Sequence, residues 1–287
     1  MPAPVNLAQA VPVDGWLARL GRGLWAPRCL VCREPAVDRF DLCARCEAAL
    51  PWMPPACLSC AMPLPPAAAR TAAPAGTAPT VLGRMATAAP TFPRATVTAA
   101  PTIPAGSPCP SPPRLCSACQ HAPPPLTQTH ATFLYGFPLD RLLPRLKFHR
   151  DLAAGRLLAQ AMAASLSRHA LPDALVPVPL HRSRLRERGF NQALELARPL
   201  GRMLGVPVRG DFLLRTRKTA PQSRLDAEAR AGNLRDAFET GVRATPPPHV
   251  VLVDDVMTTG ATLHAAADAL FDVGVERVDA WICARAP

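Results

Sequence analysis

Residues 250–262 read VVLVDDVMTTGAT, which is four apolar residues, two adjacent aspartates and a threonine-rich loop. An uninterrupted apolar run rich in valine is typical of a strand buried on both faces of a parallel sheet. Such a strand at Val250–Val253 would deliver Asp254 and Asp255 to its carboxyl end, the edge where ligands bind in open α/β sheets. The sequence therefore predicts an α/β fold with a ligand site at this edge.

The loop after the two aspartates has the composition of a phosphate cradle. Backbone N–H groups at a helix N-terminus bind phosphate, threonine hydroxyls add donors, and Gly260 permits close approach of the backbone. Adjacent carboxylates would repel a phosphate unless they bind hydroxyls or a cation, so we expect Asp254 and Asp255 to hold ribose hydroxyls with Mg²⁺ nearby. The loop residues expected at this sugar phosphate are Val256, Thr258, Thr259, Gly260, Ala261 and Thr262.

Strand-like and helix-like patterns alternate along the C-terminal half of the chain. We expect strands at Ala131–Phe137, Ala174–Val178 and Arg277–Ala284, and helices at Leu139–Phe148, Leu152–Arg168, Asn191–Leu204 and Thr262–Phe271. Residues 216–234 are polar and arginine-rich, which favours a mobile loop. Alternation of this kind indicates a parallel sheet with flanking helices, so we assign residues 130–287 to one domain.

Two groups of cations are expected close to the same sheet edge. The strand that ends at Val178 and Pro179 is followed by His181, Arg182, Arg184, Arg186 and Arg188. These side chains could neutralise a phosphorylated ligand, or they could simply be the solvated start of a basic helix. Lys147, His149 and Arg150 follow a predicted helix, where a solvated, cation-rich C-terminus is favoured over contact with pyrophosphate or nucleic acid.

Nine of the ten cysteines lie between Cys29 and Cys119, and eight of them form Cys-x-x-Cys pairs. Two such pairs complete a tetrahedral zinc site, and a site filled by four protein thiolates is structural. We expect one ion on the first two pairs and a second ion on the last two, which a low-complexity tract separates. The predicted ligands are Cys29, Cys32, Cys43 and Cys46 for the first site, and Cys57, Cys60, Cys116 and Cys119 for the second.

Reduced structural cysteines are the alternative to zinc, whereas redox chemistry is disfavoured because no thioredoxin-like pattern surrounds any pair. Glycine often follows the second cysteine of a zinc knuckle, where it can adopt a positive φ. Here that position is filled by Arg33, Glu47, Ala61 and Gln120, which departs from the usual pattern.

The tract between the third and fourth pairs differs from the rest of the chain. Residues 61–115 contain 15 alanines, 13 prolines and 8 threonines, with no acidic residue and no lysine. Dense proline interrupts helices and strand ladders, so we predict a disordered or polyproline-like insertion within a zinc segment at 27–122. Residues 1–26 are expected to form a short amphipathic helix or a frayed tail.

Charge and hydropathy narrow the class of protein. The net charge is +11, which suits phosphorylated ligands or nucleic acid. Residues 1–10 lack the basic and apolar regions of a signal peptide, and no apolar run is long enough to span a membrane. We therefore expect a cytoplasmic protein, in which clustered thiols are reduced and hold metal.

The motif at 250–262 resembles the phosphoribosyl diphosphate (PRPP) site of type I phosphoribosyltransferases at every position. Other segments resemble the ComF family over residues 29–60 and 115–285, and the resemblance fails only across the predicted insertion. These segments are Lys147–Phe148, Leu175–His181, Arg184, Arg186–Gln192, Pro221–Gln222, Arg230, Asn233–Arg235 and Phe238. Such proteins join an N-terminal zinc ribbon to a type I phosphoribosyltransferase fold and are linked with DNA uptake and natural competence.

The resemblance implies a role for each segment of the site. Pro179, His181 and Arg182 would lie on the loop that binds pyrophosphate. Lys218 and Gln222 would lie on a loop at 215–235 that closes over Mg²⁺-PRPP and excludes water. Phosphoribosyl transfer to a nucleobase, ammonia or an amine would follow, but no acceptor site is recognisable in the sequence.

A second interpretation keeps the fold and removes the chemistry. The chain would then sense PRPP or a nucleotide and bind single-stranded DNA or proteins of DNA uptake and recombination. Its basic charge favours this interpretation, whereas its 5% aromatic content argues against a large base-stacking surface. A homodimer is among the assemblies compatible with either interpretation.

Overall fold

The computed structural model describes residues 28–36, 41–65, 115–217, 237–241 and 245–286. Its helices are α1 (Ala44–Ala48), α2 (Ser117–His121), α3 (Leu139–His149), α4 (Leu152–Leu166), α5 (Arg182–Arg188), α6 (Gln192–Leu204) and α7 (Ala261–Phe271). Its strands are β1 (Thr129–Leu134), β2 (Ala174–Pro177), β3 (Leu213–Arg215), β4 (Phe238–Thr240), β5 (His249–Met257) and β6 (Arg277–Arg285).

Three predicted segments fall largely or wholly outside the described residues. They are the N-terminal helix or tail at 1–26, all but the ends of the insertion at 61–115, and all but the first two residues of the loop at 216–234. In the part of the chain that the structure describes, no helix is long and apolar enough to cross a membrane.

Four parallel strands form the central sheet in the order β1–β6–β5–β2. β5 therefore lies between two neighbours, and its pairing with β6 continues through Asp254 and Val256 as far as Met257. The strand is longer than the predicted Val250–Val253 because β6 offers nine residues for pairing. As a result, both aspartates are held inside a hydrogen-bonded strand at its carboxyl end.

Alternate residues of β5 enter two different hydrophobic cores. Val251 and Val253 pack in the core formed with α3, α4 and α6, while Val250 and Leu252 pack in the core formed with α7 and the β3–β4 ribbon. Each of the four is fully buried. The run of four apolar residues thus reflects a strand covered on both faces, as expected for a parallel sheet.

Side-chain caps fix where the helices next to the site begin. Asp151 accepts a hydrogen bond from the backbone N–H of Ala154 and caps α4. Asn191 accepts from the N–H of Ala193 at the start of α6, and its amide donates to the Val178 carbonyl at 3.0 Å. The helix predicted to begin at Asn191 is confirmed, with Asn191 as its cap, and the second bond ties α6 to the end of β2.

The zinc segment covers the free edge of β1. The backbone N–H of Thr129 donates to the Leu58 carbonyl at 2.7 Å, and the N–H of Met53 donates to the Thr132 carbonyl at 3.0 Å. The ring centroids of Trp52 and Phe133 are 4.8 Å apart. The segment therefore belongs to the same packed body as the sheet.

The predicted helices and strands are confirmed, with shifts of one to three residues at most ends. Two features differ from expectation. Residues 182–188 form a helix, α5, which is the second of the two alternatives that the sequence left open, and a short antiparallel ribbon, β3–β4, flanks residues 218–236. Strands of three residues carry too little periodicity to be predicted from sequence.

Candidate functional site

Asp254 and Asp255 stand side by side at the carboxyl end of β5. The N–H of Asp255 donates to Asp254 Oδ1 at 2.8 Å, and the N–H of Val256 donates to Asp255 Oδ1 at 2.9 Å. Asp255 is only 3% exposed, whereas Asp254 is half-buried. These bonds fix the orientation of both carboxylates and leave Asp254 closer to solvent.

Lys147 is the cation that compensates Asp255. Its Nζ atom, from the last turn of α3, lies 2.7 Å from Asp255 Oδ2. The solvated helix end favoured by the sequence is therefore wrong for Lys147, although His149 and Arg150 are exposed as expected. A buried carboxylate needs a partner, and a contact between residues 108 positions apart leaves no mark in local sequence.

Burial raises the pKa of Asp254 well above its ordinary value, and the adjacent charge of Asp255 raises it further. The N–H of Asp255 and the more distant Lys147 act in the opposite direction. Two adjacent carboxylates, of which only Asp255 is paired with a lysine, thus lie in a poorly hydrated place. Such a pair favours a cation or hydroxyl donors as a ligand.

The loop that follows the carboxylates has the form of an anion cradle. Gly260 adopts φ +84°, and a Cβ at this position would lie 2.6 Å from Met257 Cε. The helix α7 begins at Ala261, one residue before the predicted start, and the Ala261 N–H donates to Thr259 Oγ1 at 3.4 Å. Thr258 and Thr259 are exposed beside this helix start, so their hydroxyls lie next to its N–H groups.

The end of β2 lies next to this loop, because Val178 donates its N–H to the Val253 carbonyl at 3.0 Å. His181 caps α5: its Nδ1 accepts from the N–H of Ser183 at 3.2 Å. Because this nitrogen accepts the capping bond, His181 fixes the start of α5. Arg182 is exposed, and with Pro179 it lines a cavity of about 680 Å³.

The same cavity reaches the base of the predicted closing loop. Arg215 of β3 lines it, as Arg182 does. Burial lowers the pKa of Arg215, as does the charge of Arg184, while the charge of Asp254 acts against this shift. Arg215 is thus within electrostatic reach of the aspartate pair, a role the sequence did not suggest. The predicted contacts Lys218 and Gln222 lie outside the described residues.

The structure brings the eight paired cysteines into the two groups of four that the sequence predicts. In each group the four sulfur atoms lie within 4.8 Å of one another. Each site joins a knuckle to a short helix, since Cys43 and Cys116 cap α1 and α2. Four converging thiols are the donor set of structural zinc. Arg33 and Ala61 adopt φ +69° and +53°, the conformation that glycine usually provides there.

Backbone groups around the knuckles favour thiolates. Burial alone would raise the pKa of Cys29, but surrounding N–H donors, including those of Cys32 and Cys43, lower it to about 6. The same balance lowers the pKa of Cys57 to about 7, with N–H groups of Cys116 and Cys60 opposing burial. Burial and the neighbouring thiols raise the pKa of Cys46 and of Cys119. Zinc binds thiolates, so each site offers one thiol that ionises readily and others that must lose their proton when the metal ion binds.

A surface patch near the site also escaped the sequence analysis. Phe148, which is 68% exposed, lies under the guanidinium of Arg188 at 5.4 Å, and Phe190 lies under that of Arg150 at 5.8 Å. The four residues form what we call the Phe–Arg patch, between the end of α3 and the turn into α6. Phe148 is exposed, whereas Phe190 is partly buried against the core. The two members of each pair are 40 positions apart in the chain, so local sequence does not reveal the contacts.

Two domain families match separate parts of the chain. Residues 20–75 match the double zinc ribbon domain, and residues 190–287 match the phosphoribosyl transferase domain. The first match covers three of the four cysteine pairs, and the fold supplies the last, Cys116 and Cys119, from beyond it.

Three relatives indicate the family to which the chain belongs. Competence protein F of Haemophilus influenzae is 39% identical over 157 residues, which is 52% of this chain and 69% of that protein. DNA utilization protein YhgH of Salmonella typhi is 39% identical over 178 residues, which is 59% of this chain and 77% of that protein. Competence protein ComFC of Bacillus subtilis is 32% identical over 52% of this chain and 60% of its own length. With a parallel sheet, an Asp-Asp loop and two four-cysteine sites, the chain belongs to the ComF family, which joins a double zinc ribbon to a type I phosphoribosyltransferase fold.

Proposed function

We propose that this protein binds PRPP with Mg²⁺ at the carboxyl end of β5. The observation that carries the proposal is the aspartate pair, which is fixed by its own backbone and followed directly by the start of α7. Ribose hydroxyls would bind Asp254 and Asp255, and the 5-phosphate would bind the loop N–H groups and the hydroxyls of Thr258, Thr259 and Thr262. Mg²⁺ would supply charge neutralisation between the carboxylates and the diphosphate.

Phosphoribosyl transfer is the reaction that this arrangement best supports. The bond between ribose C1 and the diphosphate oxygen would break, and a bond from C1 to an acceptor nitrogen would form. Arg182 and Arg215, which line one cavity, would stabilise the departing diphosphate. The loop that the family resemblance implies at 215–235, with Lys218 and Gln222, would close over the site and exclude water.

A non-catalytic binding function is the second candidate, and the Phe–Arg patch favours it. Exposed aromatic rings and arginine side chains hold single-stranded nucleic acid by stacking and by charge. Phe148 is the exposed ring of this patch, and Arg188 lies beside it. The names of the relatives refer to competence and to DNA utilization. We propose a corresponding role in cytoplasmic handling of DNA for this chain, with DNA-uptake or recombination proteins as partners.

Calorimetric titration of the zinc-loaded protein with Mg²⁺-PRPP tests the first proposal. We expect saturable binding by wild type and at least a tenfold loss in the double variant Asp254→Asn/Asp255→Asn. Asp272→Asn, at the exposed far end of α7, is the matched control and should bind like wild type. A folded wild type that releases no heat, or a double variant that binds as tightly, would refute PRPP binding at this site.

Two further measurements separate the candidates. Pyrophosphate release in the presence of nucleobases or amines would establish transfer. Fluorescence anisotropy with labelled single-stranded DNA would test the Phe–Arg patch, where Phe148→Ala should weaken binding several-fold. Leu171→Ala, which changes an exposed apolar residue elsewhere, should not. DNA binding without pyrophosphate release would favour the second candidate.

A further inference from the structure

Arg285, at the end of β6, is a buried arginine whose partners are main-chain carbonyls. The residue is 5% exposed. Its Nε donates to the Cys60 carbonyl at 3.0 Å, and its Nη1 donates to the Met257 carbonyl at 3.2 Å and to the carbonyl of Ala286. A guanidinium offers donors in a fixed fork, so it can hold two backbone segments at a set separation.

The first of these segments belongs to the second zinc site. Cys60 is one of its four ligands, and the next residue, Ala61, has the strained φ of +53°. The remaining pair, Cys116 and Cys119, reaches the site from the far side of residues 66–114. A bound metal ion therefore fixes the backbone at Cys60, and with it the carbonyl that Arg285 contacts.

The second segment opens the proposed phosphate loop. Met257 immediately precedes Thr258, and its carbonyl also accepts the N–H of Ala286 at 2.9 Å. Its methyl group lies directly beneath Gly260, where an added Cβ would be 2.6 Å away. Movement of Met257 would therefore displace the turn that starts α7.

The first zinc site has a similar link to the aspartates. Arg145 of α3 donates to the carbonyl of Leu30, which lies inside the first knuckle, and its Nε donates to Asp151 at 2.9 Å. Two residues further along α3, Lys147 pairs with Asp255. Each zinc knuckle thus gives one carbonyl to an arginine whose own segment reaches the proposed PRPP site.

We propose that zinc occupancy and Mg²⁺-PRPP binding are thermodynamically coupled, with Arg285 as the main positioning residue and Arg145 as the second. This inference rests on the proposed PRPP function. Zinc bound to the thiolates would fix the backbone at Cys60 and at Leu30. The two arginines hydrogen-bond to the carbonyls of these residues and so link them to the phosphate loop and to α3. Because coupling is reciprocal, bound PRPP must raise the affinity of the protein for zinc by the same factor by which bound zinc raises its affinity for PRPP.

Competition for zinc at equilibrium with the chromogenic chelator 4-(2-pyridylazo)resorcinol measures the coupling without any assay of turnover. The full-length, zinc-loaded protein is titrated with the chelator with and without saturating Mg²⁺-PRPP. We expect PRPP to raise the affinity of the second site for zinc at least fivefold, within the range of about 5- to 150-fold typical of coupled sites. In Asp254→Asn/Asp255→Asn the effect should vanish, which controls for direct action of PRPP on zinc or chelator.

Arg285→Lys tests the route of the coupling. A lysine keeps the charge but has a single nitrogen, so it cannot bridge the carbonyls of Cys60 and Met257 in the same way. We expect this variant to bind zinc with the wild-type stoichiometry but to show less than a twofold effect of PRPP on its affinity for zinc. Arg277→Lys is the matched control, because Arg277 lies at the opposite end of β6 and pairs with Asp279; it should keep the full effect.

The outcomes separate this inference from the proposed function. If wild type binds Mg²⁺-PRPP in the calorimeter and yet its affinity for zinc is the same with and without PRPP, the coupling is refuted and PRPP binding stands. If wild type does not bind PRPP at all, both are refuted. The wild-type comparison decides the coupling even if Arg285→Lys fails to fold, and an Arg285→Lys protein with the full effect would refute the assigned route.

Discussion

Lys147→Met should destabilise the protein because it leaves the buried carboxylate of Asp255 without a cation. At 2.7 Å, with an effective dielectric constant near 20, the attraction between the two charges is about 6 kcal/mol. Desolvation of both groups offsets part of it, and the lysine is a quarter exposed. Removing one partner of such a pair costs about 3 kcal/mol, toward the lower end of what buried pairs show.

Urea denaturation at neutral pH in the absence of Mg²⁺ measures this cost as a change in the free energy of unfolding. Arg156→Met, which removes one exposed positive charge from α4, should stay within about 0.5 kcal/mol of wild type. Adding Asp255→Asn to Lys147→Met should restore most of the lost stability, since no unpaired charge then remains. A Lys147→Met variant within 1 kcal/mol of wild type would show that Asp255 is compensated by solvent, and the double variant would then give no recovery.

Four further perturbations have definite expected outcomes. Asp254→Asn should raise the melting temperature at pH 7 without Mg²⁺. The raised pKa of Asp254 means that its contribution to folding stability is full below about pH 4, the pKa in the unfolded chain, and is lost as the pH rises through the higher pKa of the folded state. Gly260→Ala should cost at least about 1–2 kcal/mol in a thermal melt, because it strains a φ of +84° and collides with Met257. Cys116→Ser should lower the zinc content from two ions to one in native mass spectrometry, as the second site loses a ligand. Burial, and then a neighbouring histidine, lower the pKa of His130 to about 4, so stability should fall as the pH drops from 6.5 toward 4, and His130→Gln should flatten that fall in pH-dependent unfolding.

Local sequence specified the strands and the ligand groups because each leaves a short-range signal. The run Val250–Val253 is apolar throughout because both faces of β5 are covered. The pairing of Cys57 and Cys60 with Cys116 and Cys119 followed from treating the tract between them as an insertion, and the structure groups them in that way. Neither inference needed knowledge of tertiary contacts.

The parts that could not be predicted depend on contacts distant in the chain. Lys147 and Asp255 are 108 residues apart, and Arg285 reaches Cys60 across 225. The basic run after Pro179 left a pyrophosphate loop and a basic helix both open, and the sequence did not predict that His181 caps the helix α5. The position of α3 on the sheet and of β6 within it shows that Lys147 pairs with Asp255 and that Arg285 binds the backbone of a zinc knuckle.

The placement of the zinc ribbon explains why these contacts exist. β1 is an edge strand of the sheet, and an exposed edge invites aggregation unless something covers it. Residues 51–58 supply backbone partners to Thr129, Thr132 and Leu134 along that edge, although they form no regular strand. A segment without regular structure keeps its shape only if it is pinned, and the two four-cysteine sites lie on either side of it. The zinc ribbon therefore covers one edge of the phosphoribosyltransferase sheet. Loss of the metal ions should free the hydrogen bonds along β1 before the rest of the sheet unfolds.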